Sequence, residues 1–485
     1  MDHEDLRNQV LERISLPVGP PSLHPTTSAW QEPPHPTIAT VRSAELPTET
    51  DIVIIGSGIT GCSTAYHLLH DASASAAGLR ITVLEARNAV SGATGRNGGH
   101  LMSDSDELFA EHVETVGKEQ AIEILHFTEA NITRLAQLVE ELDPADHAAV
   151  ELRTVTHATG LDADQYEAAK SVAASIKQNV LQRNLGFDVT SKEEAVKKYH
   201  FKNVAGASQQ AGAAALWPYR LFTAVFSSLL RNFEGRFTLE TNTPVTGIHH
   251  TGDQSLPYSL ETPRGTIRAK KVIHCTNGYS AHLLPRLTGK LWPFKGTMSR
   301  QAPGPLFPRV GHHVAWSLVT RGHYDAKSQE FTTGLYYAQQ NAQTGDIWVG
   351  GESQKVKDLL THNDSFVSDA AKQNILSILP RIWEDTEPVG DSQVWSGIMG
   401  FTSDHLPVVG RLTPNMSGRT GDGEWIAAGF SGHGMDKCWL TGEAVASMAI
   451  HGKIPDGFPS CYLVDDERFD RMSAEQGAQG FVSQF

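Results

Sequence analysis

The sequence predicts an α/β fold with two parts, one around a buried parallel sheet and one around an antiparallel sheet. An apolar run over 51–55, a helical pattern through Leu69 and a second apolar run over 80–84 form a βαβ unit, which is typical of buried parallel strands. Shorter runs such as 334–337 and 347–350 indicate paired antiparallel strands. The first pattern predicts a Rossmann-type domain, and the second predicts a neighbouring α+β domain.

The first strand ends in a glycine-rich turn that fits the pattern G-x-G-x-x-G, namely Gly56, Ser57, Gly58, Ile59, Thr60 and Gly61. In this pattern the first glycine permits the tight turn, the second lets a pyrophosphate approach the backbone, and the third lets helix and strand pack closely. Glu85 ends the next strand, where a carboxylate binds ribose hydroxyls and repels a 2′-phosphate. The turn, Glu85 and the following Ala86 and Arg87 predict a site for NAD or FAD rather than NADP.

A second glycine-rich segment, Ser91-Gly92-Ala93-Thr94-Gly95-Arg96-Asn97-Gly98-Gly99-His100, resembles the "GASGRNGG" segment of the D-amino-acid-oxidase-like flavoproteins. Within that family it is most similar to the branch of sarcosine oxidase, glycine oxidase and the gamma-glutamylputrescine oxidases. Glycines in such a run form a backbone-lined groove that suits a flat ring and a pyrophosphate. The resemblance implies that the dinucleotide is FAD, with contacts from Thr94, Gly95, Arg96, Asn97, Gly98, Gly99 and His100.

Further segments carry the same resemblance in family order. Val245 lies in a segment that resembles the adenine-contacting strand. The segment 275–280 resembles the "ATNGY" turn beside the pyrophosphate, and 395–410 resembles the "W-x-G…T-x-D-x-x-P-x-I-G" signature. Segment 429–435 resembles the turn that meets the flavin, before a helix whose N-terminus stabilises charge on the reduced ring. The cofactor-binding residues that these segments imply are Thr276, Asn277, Gly278, Gly400, Gly429, Phe430, Gly432, His433, Gly434 and Met435.

The resemblance spans residues 51–450 and implies a Rossmann-type FAD-binding domain with an interleaved α+β substrate domain built on an antiparallel sheet. Helical patterns run over 105–142, 164–185, 222–233 and 366–382, and a final helix is predicted to end near Ile450. We predict a proline-rich, extended or loosely ordered N-terminal arm at 1–48, an FAD-binding domain at 49–104, 215–291 and 395–455, a substrate domain at 105–214 and 292–394, and a tail at 456–485.

The resemblance implies a reaction in which the flavin removes a hydride equivalent from the carbon beside a nitrogen, so that an amine becomes an imine. The cofactor carries the redox chemistry, and the protein supplies orientation and electrostatics. Because a neutral amine supplies its own electron pair, we predict no catalytic triad. The candidate catalytic residues are His433, Trp348, Tyr337 and Asp436.

Several positions depart from sarcosine oxidase. Ser396 stands where that family member binds its flavin through a cysteine, so FAD is expected to be non-covalent. Trp348 stands where a lysine helps oxygen to react, which leaves oxygen and other acceptors open. Met102 and Asp436 replace the two basic residues that hold a substrate carboxylate, which favours an amine without that carboxylate or with a second positive group. Two alternatives stay open: Asp436 only stabilises the final helix, or Lys437 restores carboxylate binding.

Composition excludes several functions. The chain has 485 residues, with 55 acidic and 40 basic side chains and a formal charge of −15, which argues against nucleic acid and anionic membranes as partners. Four cysteines form no disulfide scaffold, no metal-ligand spacing is present, and no leader or spanning segment is found, so we expect a cytoplasmic protein.

The alternative functions are a flavin hydroxylase or dehydrogenase with another acceptor, a non-catalytic flavin-binding protein and an NAD dehydrogenase. The substrate, the oligomeric state and the role of segment 299–324 are left open.

Overall fold

The elements of the fold come from a computed structural model that describes residues 2–103, 108–179 and 187–483. The strands within these residues are β1 Glu49–Ile55, β2 Ile81–Leu84, β3 His100–Leu101, β4 Arg153–Leu161, β5 Phe187–Ser191, β6 Gly206–Ala215, β7 Phe237–Glu240, β8 Gly247–His250, β9 Tyr258–Thr262, β10 Gly265–His274, β11 Leu291–Ala302, β12 Val314–Val319, β13 His323–Asp325, β14 Glu330–Gln340, β15 Ile347–Lys355, β16 Val389–Thr402, β17 Val408–Arg411 and β18 Glu424–Ala428. The α-helices are α1 Asp2–Ile14, α2 Ile59–His70, α3 Ala72–Ala76, α4 Phe109–Val116, α5 Lys118–Glu140, α6 Pro144–Val150, α7 Ala163–Asn179, α8 Lys192–Tyr199, α9 Pro218–Asn232, α10 Ser280–Leu283, α11 Val356–Leu359, α12 Asp369–Leu376, α13 Leu379–Ile382, α14 Pro414–Ser417, α15 Cys438–His451, α16 Asp466–Arg471 and α17 Ala474–Ser483.

The first sheet has eight strands, six of them in the order β17-β18-β10-β1-β2-β7. Strands β18, β10, β1, β2 and β7 are parallel, and β17 adds an antiparallel edge. Ile52, Val53 and Ile54 in β1 are at most 2% exposed, as expected for a central strand covered on both faces. Helices α2 and α15 pack together, with Gly442 lying against Ser63. This sheet confirms the predicted Rossmann-type α/β architecture.

The second sheet has ten strands and is mostly antiparallel. Eight of them run in the order β16-β11-β15-β14-β12-β4-β6-β3, and only β12 and β4 are parallel neighbours. The predicted pair 334–337 and 347–350 lies in β14 and β15, with Tyr337 opposite Gly350. The antiparallel second sheet is therefore confirmed. Strand β16 belongs to this sheet and crosses residue 395, the position at which we proposed a domain boundary; the domain division stays a prediction.

The N-terminal segment differs from the expected extended arm. Residues Asp2–Ile14 form α1, and its buried Leu6, Val10 and Ile14 recur at helical spacing. They belong to an apolar cluster that also contains Phe481 of α17. The prolines that suggested an extended arm begin only at Pro17, after the helix has ended. The prediction of an extended arm from proline content therefore applies to residues 17–48 and not to the helix that precedes them.

Other differences concern where helices break. The predicted helix over 105–142 divides into α4 and α5 at Gly117, whose φ of +83° places it in the left-handed region. The helix predicted over 164–185 is present as α7 to Asn179, and 180–185 lie outside the described residues. The segment 366–382 forms two short helices, α12 and α13. Over the described ranges, no helix combines the length and the apolar character needed to cross a lipid bilayer.

Candidate functional site

A cavity of about 660 Å³ is lined by residues from both sheets. This volume is in the range of cofactor and substrate sites. Its lining combines the glycine-rich segments that follow strands of the first sheet with side chains from the second sheet. The predicted cofactor-binding residues that line it are Gly56, Ser57, Gly58, Ile59, Thr60, Glu85, Ala86, Arg87, Thr94, Arg96, Asn97, Gly98, Gly99, His100, Val245, Thr276, Asn277, Phe430, Gly432, His433, Gly434 and Met435.

Five predicted cofactor-binding glycines do not line the cavity: Gly61, Gly95, Gly278, Gly400 and Gly429. Each instead allows two backbone segments to pack closely. A Cβ at Gly400 would lie 2.5 Å from Asn277 Oδ1, and one at Gly278 would lie 3.0 Å from the Ile398 side chain. The Gly429 N–H donates to Asn277 Oδ1 at 3.0 Å. These glycines join the segments that form the cavity, and the structure gives them a packing role rather than a lining role.

The glycine turn after β1 is held by close backbone contacts. Gly56 has a φ of +108°, and a Cβ there would lie 2.6 Å from the Cys275 carbonyl oxygen. A Cβ at Gly61 would lie 3.0 Å from the Gly56 carbonyl carbon and still closer to its oxygen. The Cβ of a residue at Gly58 would meet only the Thr94 hydroxyl, at 3.1 Å. The first and third glycines therefore shape the turn, whereas the second keeps the cavity open.

Glu85 fixes this turn to the end of β2. One carboxylate oxygen accepts hydrogen bonds from the backbone N–H and the hydroxyl of Ser57, at 3.0 Å and 2.7 Å. The other oxygen accepts a hydrogen bond from the Arg87 N–H at 2.9 Å. The carboxylate thus lies at the cavity wall in a fixed orientation, and its expected contact with a ribose stays a prediction.

The N-terminal arm holds the glycine-rich loop 91–100 in place. The Ser28 hydroxyl donates to the Gly95 carbonyl at 2.8 Å, and the Trp30 indole N–H donates to the Asn97 carbonyl at 2.6 Å. The Gln31 amide also donates to the Gly95 carbonyl, at 2.9 Å. Because these contacts satisfy loop carbonyls from outside, the arm takes part in shaping the cavity wall.

Two arginines predicted to contact the cofactor are buried in the cavity wall. Arg87 forms an ion pair with Asp364 at 2.7 Å, in which the two side chains are 7% and 0% exposed. Arg96 donates to the carbonyl oxygens of Ser91 and Ser396, at 2.7 Å and 2.8 Å. Burial lowers the pKa of Arg96 to about 10, so it keeps its positive charge at neutral pH.

Three buried polar atoms at the cavity wall have no hydrogen-bond partner among the described residues: Arg87 Nε, His100 Nε2 and the Tyr279 hydroxyl. Buried polar atoms are normally satisfied, so such atoms at a cavity indicate ligand contacts. Burial lowers the pKa of His100 to about 4, so its imidazole is neutral. Glycine turns without side chains, together with the two unsatisfied donors Arg87 Nε and the Tyr279 hydroxyl, fit a bound dinucleotide.

The opposite wall comes from the second sheet. Tyr337 lies over two glycines, since a Cβ at Gly98 would be 2.8 Å from its Cδ2 and a Cβ at Gly350 would be 2.5 Å from its Cε2. Met298 and Phe401 add apolar lining. The wall also contains Glu352, which is 5% exposed and which the sequence reasoning missed. The available signal was an acid that continues the buried strand after two consecutive glycines.

Trp348, a predicted catalytic residue, does not line the cavity. Its ring centroid lies 3.9 Å from that of Trp30, and it also contacts Trp217 and Trp395. The side chain is 3% exposed and belongs to the core between the arm and the second sheet. This placement differs from the predicted catalytic role: Trp348 packs in the core and not at the cavity, so its position gives no support to a direct role in the reaction.

Asp436 lines the cavity, but it is not an isolated acid. Its two carboxylate oxygens lie 3.0 Å and 2.9 Å from Lys437 Nζ, and the two side chains are 3% and 7% exposed. The two charges compensate each other, which weakens the expected attraction of a substrate cation by Asp436. His433 also lines the cavity, in the turn before α15, where its N–H donates to the Phe430 carbonyl at 2.9 Å.

Two cysteines line the cavity, Cys275 and Cys438, and burial raises the pKa of both thiols to about 12. They are therefore protonated at neutral pH and are poor nucleophiles. Ser396 does not line the cavity, because its hydroxyl is hydrogen-bonded to the carbonyls of Asp364 and Phe366. Within residues 2–103, 108–179 and 187–483, no cluster of three or more metal-ligating side chains occurs.

Comparisons with known proteins agree with this geometry. A sequence model of the family described as "DAO: FAD dependent oxidoreductase" matches residues 51–448. Gamma-glutamylputrescine oxidoreductase of Escherichia coli (strain K12) is 22% identical over 426 residues, which cover 87% of this chain and 86% of that protein.

Two solved structures have the same fold. Glycine oxidase from Geobacillus kaustophilus superimposes with a TM-score of 0.62 at 20% identity, covering 86% of this chain and 99% of that chain. L-proline dehydrogenase from P. horikoshii gives a TM-score of 0.62 at 21% identity, covering 88% of this chain and 99% of that chain. At such low identity the solved structures show the fold alone.

Proposed function

Because the chain belongs to the DAO family of FAD-dependent oxidoreductases, we propose that it oxidises the carbon–nitrogen bond of a small amine or amino-acid derivative to an imine. The family assignment alone indicates an FAD-dependent oxidoreductase of the amine- and amino-acid-oxidase type. The observation that supports oxidation of a carbon–nitrogen bond is the continuous cavity, which joins the glycine-rich turns of the first sheet to a side-chain wall on the second sheet.

The residues that would hold FAD are those of four segments, 56–61, 91–100, 276–279 and 429–435. The N-terminal end of α2 offers backbone N–H groups and the positive end of its dipole to a pyrophosphate. The open side of Gly58 leaves room for the approach, and Arg87 Nε, His100 Nε2 and the Tyr279 hydroxyl are available as contacts. Neither cavity thiol is activated, which supports non-covalent binding.

The chemistry that FAD supplies when bound is acceptance of a hydride equivalent from the carbon beside the nitrogen. The contribution of the chain is to orient that carbon and to exclude water. Tyr337, Met298 and Phe401 form a largely apolar wall, which favours a desolvated amine. The turn 429–435 precedes α15, whose N-terminus stabilises negative charge developed in the site. The imine would then be hydrolysed by water to a carbonyl compound.

We also propose oxygen as the electron acceptor. Glycine oxidase, one of the proteins with this fold, supports oxygen, whereas L-proline dehydrogenase shares the fold under a dehydrogenase name. Readmission of air to the reduced protein distinguishes the two, because an oxidase regains its yellow colour and forms hydrogen peroxide. A protein that stays reduced in air but is reoxidised by a dye requires another acceptor.

The experiment that tests the function is an anaerobic screen of the purified yellow protein. Primary and secondary amines, polyamines and free amino acids are added singly, and absorbance of the oxidised flavin is followed. We expect bleaching by an amine and, on turnover in air, release of the corresponding carbonyl compound. A colourless preparation, bleaching by NADH alone, or a flavin that stays oxidised with every amine would contradict the proposal.

A further inference from the structure

One acidic side chain lies on the second-sheet side of the cavity. Glu352 on β15 is the one acid among the described strand residues that line this wall. The Thr297 backbone N–H donates to one carboxyl oxygen, while the Thr297 hydroxyl and the Gln354 amide donate to the other at 3.1 Å and 2.8 Å. Three donors from two neighbouring strands therefore fix the orientation of the carboxyl group, as a preorganised binding site requires.

The partners of this carboxyl are neutral donors rather than a cation. Burial raises the pKa of Glu352 to about 8, and the Thr297 hydrogen bonds and the charge of Lys295 act against that rise. Lys295 itself lies over the ring of Phe366, with Nζ 3.6 Å from the centroid. A buried carboxylate is costly unless a cation compensates it. A cationic ligand in the cavity would supply that compensation.

An aromatic ring stands beside the carboxyl group. Tyr337 passes over Gly350, two residues before Glu352 on the same strand. The two side chains are close enough that the charge of Glu352 adds to the effect of burial in raising the pKa of Tyr337. A carboxyl group and an aromatic ring on the same cavity wall are a favourable environment for an organic ammonium group.

The basic side chains of the cavity are already bound within the protein. Arg87 is paired with Asp364 at 2.7 Å, and Lys437 is paired with Asp436 at 2.9 Å. Arg96 donates to backbone carbonyls. A substrate carboxylate would have to compete with these contacts, whereas an ammonium group meets a carboxyl whose hydrogen-bond donors, Thr297 and Gln354, are neutral. The cavity therefore favours a cation over an anion.

We propose that Glu352, together with the ring of Tyr337, forms an ammonium-binding site, and that its ligand is an organic amine in the cationic form without a carboxylate beside the nitrogen. The proposal names the substrate class of the same cavity and rests on the proposed function for the oxidation of that amine. Because only the neutral amine has the electron pair that oxidation requires, the bound ammonium gives its proton to the Glu352 carboxylate before the hydride equivalent leaves the carbon. Binding of the ammonium group itself requires no turnover, so it is measured separately.

tert-Butylamine is a suitable probe, because it is a cation at neutral pH and has no hydrogen on the carbon that bears the nitrogen, so it cannot become an imine. Pivalate and tert-butanol have the same shape with a negative charge and no charge. Each is titrated into the oxidised holoenzyme while the flavin spectrum and Tm are followed. We expect saturable binding of tert-butylamine alone. Equal binding of either analogue, or no binding of tert-butylamine, would overturn the proposal without any variant.

Two variants locate the site. Glu352→Gln replaces the ionisable carboxyl with a neutral amide of the same shape, so no carboxylate can form opposite the ammonium group, and we expect tert-butylamine binding to weaken by about tenfold or more. The control Glu111→Gln removes an exposed acid on α4 at the same cavity and should change the affinity by less than about twofold. Unchanged affinity in a flavin-loaded Glu352→Gln protein would overturn the assignment.

The two proposals fail in different ways. If no amine bleaches the flavin but tert-butylamine binding depends on Glu352, the oxidation proposal fails and the ammonium site stands. If amines bleach the wild-type protein and the Glu352→Gln variant with the same KM, the ammonium site is wrong and the oxidation proposal stands.

Discussion

The different roles of Gly58 and Gly61 give a prediction that separates folding from cofactor binding. A methyl group at position 61 would lie 3.0 Å from the Gly56 carbonyl carbon and within the contact distance of its oxygen. Both neighbours are backbone, so they cannot rotate away, and β1 and α2 would have to separate. A methyl group at position 58 meets only the Thr94 hydroxyl at 3.1 Å and otherwise enters the cavity.

The cost follows from these contacts. Overpacking a tight backbone contact costs about 1–3 kcal/mol or more, so Gly61→Ala should lower the free energy of unfolding by at least about 2 kcal/mol, even without FAD. In Gly58→Ala the side chain is tolerated in the apoprotein, where we expect a loss of less than about 1 kcal/mol. The same methyl group occupies the space in which a pyrophosphate would approach, so the Kd for FAD should rise about tenfold or more.

The assay is thermal or urea unfolding of both apoproteins, followed by titration with FAD and measurement of flavin fluorescence. Gly61→Ala should be the less stable apoprotein, and Gly58→Ala should be nearly as stable as the wild type but bind FAD weakly. Equal destabilisation of the two apoproteins would refute the division of roles. Normal FAD affinity in Gly58→Ala would refute the assignment of Gly58 to the cofactor site.

Three further predictions concern residues of the second wall and its surroundings. Trp348→Phe should lower the free energy of unfolding by about 1–3 kcal/mol through lost core packing. The rate at which oxygen reoxidises the reduced flavin should stay unchanged in stopped-flow measurements, and a changed rate would support a catalytic role. Asp436→Asn removes the charged partner 2.9 Å from Lys437 and should lower the free energy of unfolding by about 3 kcal/mol or more. Because Lys437 is then unpaired, the variant should bind pivalate, and a variant as stable as the wild type would contradict the ion pair. Because the pKa of Glu352 is raised from 4.5 to about 8, the native state keeps a proton that the unfolded chain loses, so the contribution of Glu352 to stability should fall as pH rises from about 5 to about 7.5. Buried histidines such as His100, whose pKa is lowered to about 4, contribute in the opposite direction, so the contribution of Glu352 is the difference between the wild type and Glu352→Gln. The fall in Tm between about pH 5 and 7.5 should be smaller in Glu352→Gln than in the wild type. The variant keeps Lys295, so the difference between the two proteins is due to the carboxyl group.

The parts of the site that depend on local sequence could be predicted. β1, the turn after it and Glu85 follow one another within a single βαβ unit, so pattern and position suffice. The glycine-rich loop 91–100 and the turn 429–435 were identified through their resemblance to family segments, which are also local in sequence. The pattern also assigned different roles to Gly58 and Gly61, and their surroundings agree with that assignment: Gly58 lines the cavity, and Gly61 packs against the Gly56 carbonyl.

The parts that depend on distant contacts could not be predicted. Trp348 lies in the core because Trp30, from the arm, stacks on its indole, and no pattern within β15 contains that information. Glu352 becomes a cavity acid through donors on β11 and through the position of Tyr337 on β14. The sequence analysis considered Asp436 and Lys437 as alternatives, and their pairing with each other could not be predicted because it depends on the side-chain conformations.

The hydrogen bonds from Ser28, Trp30 and Gln31 to loop 91–100 have a practical consequence. This stretch adds no strand to either sheet, yet it closes over the carbonyl side of the loop beside the cavity. Limited proteolysis ahead of residue 49 would remove these hydrogen bonds and loosen that loop, and it would also remove the Trp30 ring from Trp348. The cleaved protein should then lose its FAD on gel filtration, so retention of the flavin shows whether residues 28–31 still hold loop 91–100 in place.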